Sequence, residues 1–173
     1  YPKLVDLKTK VIENNVKEIE DYGIFIDIFT YYKIPNDMKS QKKFYNKVKF
    51  YRQLIKGYAI LKSDNVAKKT RNIFAKVVGI NNILSGYDKL LNKFKNIKTN
   101  YFISNWPVYS LQKEVQKINN INEFIEVEFE NQKCYVFKEY DSVLTTTFGD
   151  YMTPPPKEQQ ITHHDMKAYM KRV

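Results

Sequence analysis

The residues best suited to chemistry cluster near the end of the chain. Phe148-Gly149-Asp150-Tyr151-Met152-Thr153-Pro154-Pro155-Pro156 is followed seven residues later by His163-His164. Three successive prolines cannot continue a helix or sit inside a sheet, and each ring holds φ near about −65°, so the run is a stiff strut. A carboxylate, a phenol and two imidazoles beside such a strut are placed to hold polar groups of a ligand and to move protons. The histidines are adjacent, so on a helix they point about 100° apart and do not close on one metal as an i, i+4 pair does. Either one of them serves a site or both belong to an exposed tail. A further carboxylate, Asp27, interrupts the apolar run Ile24-Phe25-Ile26-Asp27-Ile28-Phe29. An acid in such a setting is costly unless paired or hydrogen-bonded. By itself Asp27 reads as a strand-end residue with local hydrogen bonds.

These groups need a scaffold, and the spacing of apolar residues outlines one. Lys3–Leu7 and Ile24–Phe29 read as short strands, with Asn14, Asn15 and the acidic residues before Gly23 marking the connection. The second run is continuous enough to be a central strand. After Pro35, Asn36 or Asp37 is a suitable N-cap for a helix. Its stripe is Phe44, Val48, Tyr51, Ile55 and Tyr58, with Lys39, Lys42, Lys49 and Lys56 on the other side. Val66, Thr70, Ile73 and Val77 predict a second buried stripe ending at Gly79, and Ile83, Tyr87, Leu90, Phe94 and Ile97 a third. Short loops make the three helices neighbours.

Phe124–Glu130 alternates strictly, and Lys133–Phe137 completes a hairpin across Asn131-Gln132. Asp141 predicts the cap of a short helix over 142–148 that Gly149 closes. Trp106-Pro107 follows an aromatic-rich turn, where the indole either caps the core or stacks on a base or an organic cation. The expected fold class is α+β: core strands over 1–35, a helical region over 36–98, then a hairpin and the terminal segment over 99–173.

Composition narrows the function classes. At 173 residues and 43% hydrophobic the chain can bury one core and does not need two domains. No run of eighteen apolar residues and no signal-peptide pattern is present. Cys134 is the lone cysteine, so no internal disulfide forms, and it reads as a small buried hydrophobe of a reducing compartment. The net charge of +10 is carried almost wholly by lysine. It reflects either an Asn-, Ile- and Lys-rich composition or attraction to nucleotide diphosphates, anionic polymers or the inner membrane face. Zinc-finger spacing, an aromatic RNA-binding string and an arginine cluster are all absent, so nucleic acid has no motif behind it.

The Phe-Gly-Asp-Tyr-Met-x-x-Pro-Pro string with its downstream His pair, together with Gly23-Ile24-Phe25-Ile26-Asp27-Ile28-Phe29 running on to Ile34-Pro35, resembles the LicD family. That resemblance implies the C-terminal part of a nucleotidyltransferase-like fold. It also implies transfer of phosphocholine, or a related phospho-alcohol, from a CDP-linked donor to a cell-surface glycan, as in teichoic acid or lipopolysaccharide modification. Mg²⁺ is the implied cofactor and the cytoplasm, at the inner membrane face, the implied location. On this reading Asp27 is a metal-linked carboxylate or the base, and Asp150, Tyr151, His163 and His164 contact substrate. Tyr151 and other aromatics could face the quaternary ammonium.

The family's Gly-rich turn and Asp-x-Asp pair have no counterpart here, and the chain opens on Tyr1. The expectation is thus a C-terminal fragment that is inactive alone. The alternative is a non-catalytic basic module that binds an anionic polymer or nucleic acid.

Overall fold

Helix α1 (Met38–Ala59) is the axis of the molecule. In the computed structural model, which describes residues 3–14, 22–60, 62, 65–160 and 166–171, the Asp37 carboxylate accepts from the Ser40 N–H at 2.8 Å and starts this helix. That bond and its backbone partners hold the Asp37 carboxyl below its ordinary range. Phe44 and Val48 are buried as the spacing predicts, and Tyr51, Ile55 and Tyr58 are half-buried. The lysines at 39, 42, 49 and 56 face water.

Helices α2 (Val66–Val78) and α3 (Ile80–Leu91) meet at Gly79, whose φ of 81° lets the chain turn without a Cβ penalty. Both pack on α1. The α1–α2 approach is close at Gly57, where a Cβ would fall 2.8 Å from Asn72 Oδ1.

Here the structure corrects the expected stripe. α2 buries Asn72 and Ala75, whereas Val66, Thr70, Ile73 and Val77 face solvent. Close packing against Gly57 requires small or flat side chains, and the branched residues are turned to the far side. α3 buries Ile83, Tyr87 and Leu91, with Leu90 half-buried beside them, then ends in a 3₁₀ turn over Asn92–Phe94.

Against α1 and α3 lies a three-stranded antiparallel sheet of order β4-β5-β6, built from β4 (Tyr31–Lys33), β5 (Tyr101–Ser104) and β6 (Val115–Lys117). Tyr32 pairs with Ile103, and Ile103 with Val115. Ile34, Phe44, Tyr45, Val48, Tyr87, Leu91 and Ile103 form the main core, and Trp106, Leu111 and Val115 pack at its edge. With Lys3–Val5 as β1 and Phe25–Asp27 as β3, the chain is mixed helix and sheet, as expected of an α+β fold.

β3 does not become the expected central strand. Among the described residues it pairs only with β1, and Ile24, Ile26, Ile28 and Phe29 are exposed. Two strands cannot bury both faces of an apolar run. The spacing also missed a pair: β2 (Thr9–Glu13) runs antiparallel to β9 (Met166–Met170), joining the two ends of the chain.

The predicted hairpin forms from β7 (Phe124–Phe129) and β8 (Gln132–Phe137). Its turn is Glu130-Asn131 rather than Asn131-Gln132, both residues having positive φ. Cys134, on β8, is half-buried rather than fully so. Helix α5 (Tyr140–Phe148) begins earlier than expected and has no side-chain cap. Asp141 sits inside its first turn and bonds elsewhere, while Gly149 closes the helix as expected, at φ 76°.

Candidate functional site

The turn after β5 creates a cavity on the sheet side. The Trp106 N–H donates to Ser104 Oγ at 3.0 Å, Pro107 is buried, and the short helix α4 (Leu111–Glu114) then brings Glu114 back beneath the turn. Glu114 is only 7% exposed. One of its oxygens, Oε1, accepts from the backbone N–H of Val108 and of Tyr109, each at 2.6 Å. The Tyr45 hydroxyl donates to the Tyr109 carbonyl, tying the same turn to α1.

This arrangement opens a cavity of about 320 Å³. Phe29 and Tyr31 form one wall, Ser104, Trp106, Val108 and Tyr109 a second, Glu114 and Gln116 the polar part, and Val143, Leu144, Thr147 and Phe148 of α5 the last. Tyr109 and Phe148 meet edge to face at 5.9 Å. Gln116 is fixed by donating from its amide to Thr147 Oγ1 and to the Lys113 carbonyl, both at 3.0 Å.

Burial and then the neighbouring Glu114 charge push the Tyr31 hydroxyl up, so it stays protonated. Among the described residues that line the cavity there is no Lys or Arg. The Arg52 guanidinium stacks on Trp106 at 5.5 Å from α1, and the Lys113 ammonium lies 5.9 Å from the Tyr109 ring. Such a volume lies at the lower end for small-ligand pockets, and aromatic walls with one buried carboxylate suit an organic cation. Trp106 thus packs at the edge of the core and also lines this cavity.

The other expected residues lie around α5 and β3. Asp150 is exposed, its carboxylate accepting from Thr153 N–H at 3.2 Å and Thr153 Oγ1 at 2.7 Å, which holds it below its ordinary range. The Tyr151 hydroxyl donates to Asp141 Oδ1 at 2.7 Å, and that bond pushes it up to about 12. Both residues follow directly from the helix that walls the cavity. His163 and His164 lie outside the described residues.

Asp27 stands two residues before Phe29 of the cavity wall, but it is not a lone buried acid. Lys3 Nζ pairs with its Oδ1 at 2.6 Å and sits 3.2 Å from the centre of the Phe25 ring. The Asp27 carboxylate is thus taken up by an ammonium in this structure. Among the described residues no three His, Cys, Asp or Glu side chains gather where they could hold a metal ion.

Sequence reasoning missed Glu114, Gln116, Tyr31 and Tyr109. The signal available was the aromatic turn 106–109 followed within one short helix by an acid, a pattern that becomes a site only when the turn folds over it.

No family model matches this chain, and no solved structure does either. It is 26% identical over 178 residues to the lipopolysaccharide cholinephosphotransferase LicD of Haemophilus influenzae. The match takes in 97% of this chain and relates it to the LicD family, over the C-terminal part of that protein. The chain spans 64% of the length of that curated relative.

Proposed function

We propose that this chain carries the alcohol-binding part of a LicD-like transferase with a nucleotidyltransferase-like fold, moving phosphocholine or a related phospho-alcohol from a CDP-linked donor to a glycan. The observation that carries this reading is the cavity of Trp106, Tyr31, Tyr109 and Phe148 around the buried Glu114. A trimethylammonium group has no hydrogen to donate, so a site recognises it by aromatic faces and a nearby negative charge in a dry setting.

In the proposed reaction a glycan hydroxyl oxygen bonds to the phosphorus that bears the choline. The bond from that phosphorus to the bridging oxygen breaks, and CMP leaves with the electron pair. The hydroxyl proton passes to a carboxylate, for which Asp27, adjacent in sequence to the cavity wall, is the candidate base. Lys3 would offset its charge between turnovers. Asp150, Tyr151 and the histidines at 163 and 164 would contact substrate at the rim.

Trp106 is the chain's single tryptophan and lines this cavity, so its emission responds when the cavity is filled. Choline and phosphocholine are expected to change its emission with saturation. The uncharged isostere 3,3-dimethylbutan-1-ol should bind at least about tenfold more weakly, because it lacks the charge that the rings and carboxylate favour. Equal binding of the two, or no response to choline, refutes the assignment.

A further inference from the structure

Helix α2 presents an apolar stripe to solvent on the side away from the core. Val66 is 76% exposed, Ile73 64% and Val77 80%, with Phe74 beside them. On a helix these positions fall within a sector about 100° wide, while Asn72 and Ala75 on the opposite side pack against α1. Exposed apolar side chains are ordinary singly, but a contiguous helical stripe is not.

The charge around the stripe is equally one-sided. Lys68, Lys69 and Lys76 of α2 are exposed, and the helix contains no Asp or Glu. Between residues 36 and 98 the sequence has sixteen Lys and Arg against three Asp and Glu, a net of +13. The rest of the chain has thirteen against sixteen, a net of −3. The whole positive excess of the molecule thus lies on its helical side.

An apolar helical stripe with Lys69 and Lys76 along one edge is the pattern of a helix that lies in a bilayer interface, apolar residues at the acyl boundary and ammonium groups at the lipid phosphates. We propose that α2 seats this chain on the surface of an anionic membrane. Its thirteen residues span only about 20 Å, and no helix among the described residues is long and apolar enough to cross a membrane. The contact is therefore peripheral. It is independent of the transfer reaction, since no residue of α2 lines the cavity.

Flotation of the 173-residue chain with vesicles tests it, using phosphatidylcholine alone and phosphatidylcholine mixed with phosphatidylglycerol. The chain is expected to float with the anionic vesicles, to stay behind with the neutral ones, and to be released by high salt. The triple substitution I73S/F74S/V77S should lower partitioning at least about tenfold, and K68Q/K69Q/K76Q should do likewise. Circular dichroism checks that each variant folds. Should the serine variant unfold, the lysine variant decides.

Absence of binding to anionic vesicles, equal binding to neutral ones, or wild-type partitioning by folded variants overturns the proposal. So does a dimer in ultracentrifugation that the serine variant converts to monomer, which would assign the stripe to a second copy of the chain. Choline titration of Trp106 is unaffected in either α2 variant, so loss of membrane contact and failure of the cavity assignment are read separately.

Discussion

The cavity and the 149–160 segment adjoin through α5 and are built in opposite ways. The cavity gathers residues from positions 29 to 148, holds its carboxylate buried, and satisfies it through backbone N–H groups. The segment is largely exposed, with Tyr151 half-buried, and its side chains bond within it or to the helix before it: Asp150 to Thr153, Gln160 to the Pro155 carbonyl, Tyr151 to Asp141. Long-range placement makes the pocket specific. Stiff local geometry makes the motif recognisable in sequence and ties its side chains to near neighbours.

The sharpest break in that comparison is catalytic. In a protein spanning the full LicD length, Asp27→Asn should lower turnover at least about a hundredfold while the melting temperature stays close, since the side chains are nearly isosteric. A rate within a few-fold of wild type would return Asp27 to the role of ion-pair partner for Lys3.

On the cavity side, Ile103→Ala removes a side chain with no exposure at the centre of the core and should cost about 2–5 kcal/mol by denaturant unfolding. Glu114→Ala strands the N–H groups of Val108 and Tyr109, at about 1–3 kcal/mol for each left without water. Glu114→Gln keeps an oxygen for both bonds and removes the charge. It should fold nearly as well as wild type and bind choline at least about tenfold more weakly in the Trp106 titration. Equal choline affinity in the Gln variant would mean the cavity selects shape alone.

Smaller effects mark the ends of the helical side and the segment. Asp37→Ala removes the cap of α1 and should lower the melting midpoint by a few degrees at neutral pH. Because the folded carboxyl lies below its unfolded value, that stabilisation is present above the unfolded value and fades as pH falls through the folded one. Wild type and variant should therefore converge in acid, and a constant difference would argue against the cap's charge. Asp150→Asn and Tyr151→Phe, both in the exposed segment, should shift stability by less than about 0.5 kcal/mol while reducing activity of the full-length protein. Silence in activity would make the segment a strut only.

Much of the local structure was legible in the residues. The Asp37 cap, the α1 stripe with its outward lysines, the Gly79 and Gly149 terminations and the β7–β8 hairpin follow from spacing, capping and φ preferences that act within a few residues. The fold's choice between faces was not legible. α2 has a good apolar stripe and buries the other side, because contact at Gly57 admits only small or flat neighbours. β3 reads as a central strand, yet only its partners could make it one, and among the described residues it has β1 alone.

The residues themselves therefore determined the three main helices, the β7–β8 hairpin and the turns at Gly79 and Gly149, and they carried the strings that resemble LicD. Tertiary structure decided which carboxylate is buried beside aromatic rings, which is paired with a lysine, and which apolar stripe is left to water. Those outcomes depend on how separate elements pack together, where periodicity carries no information and packing decides.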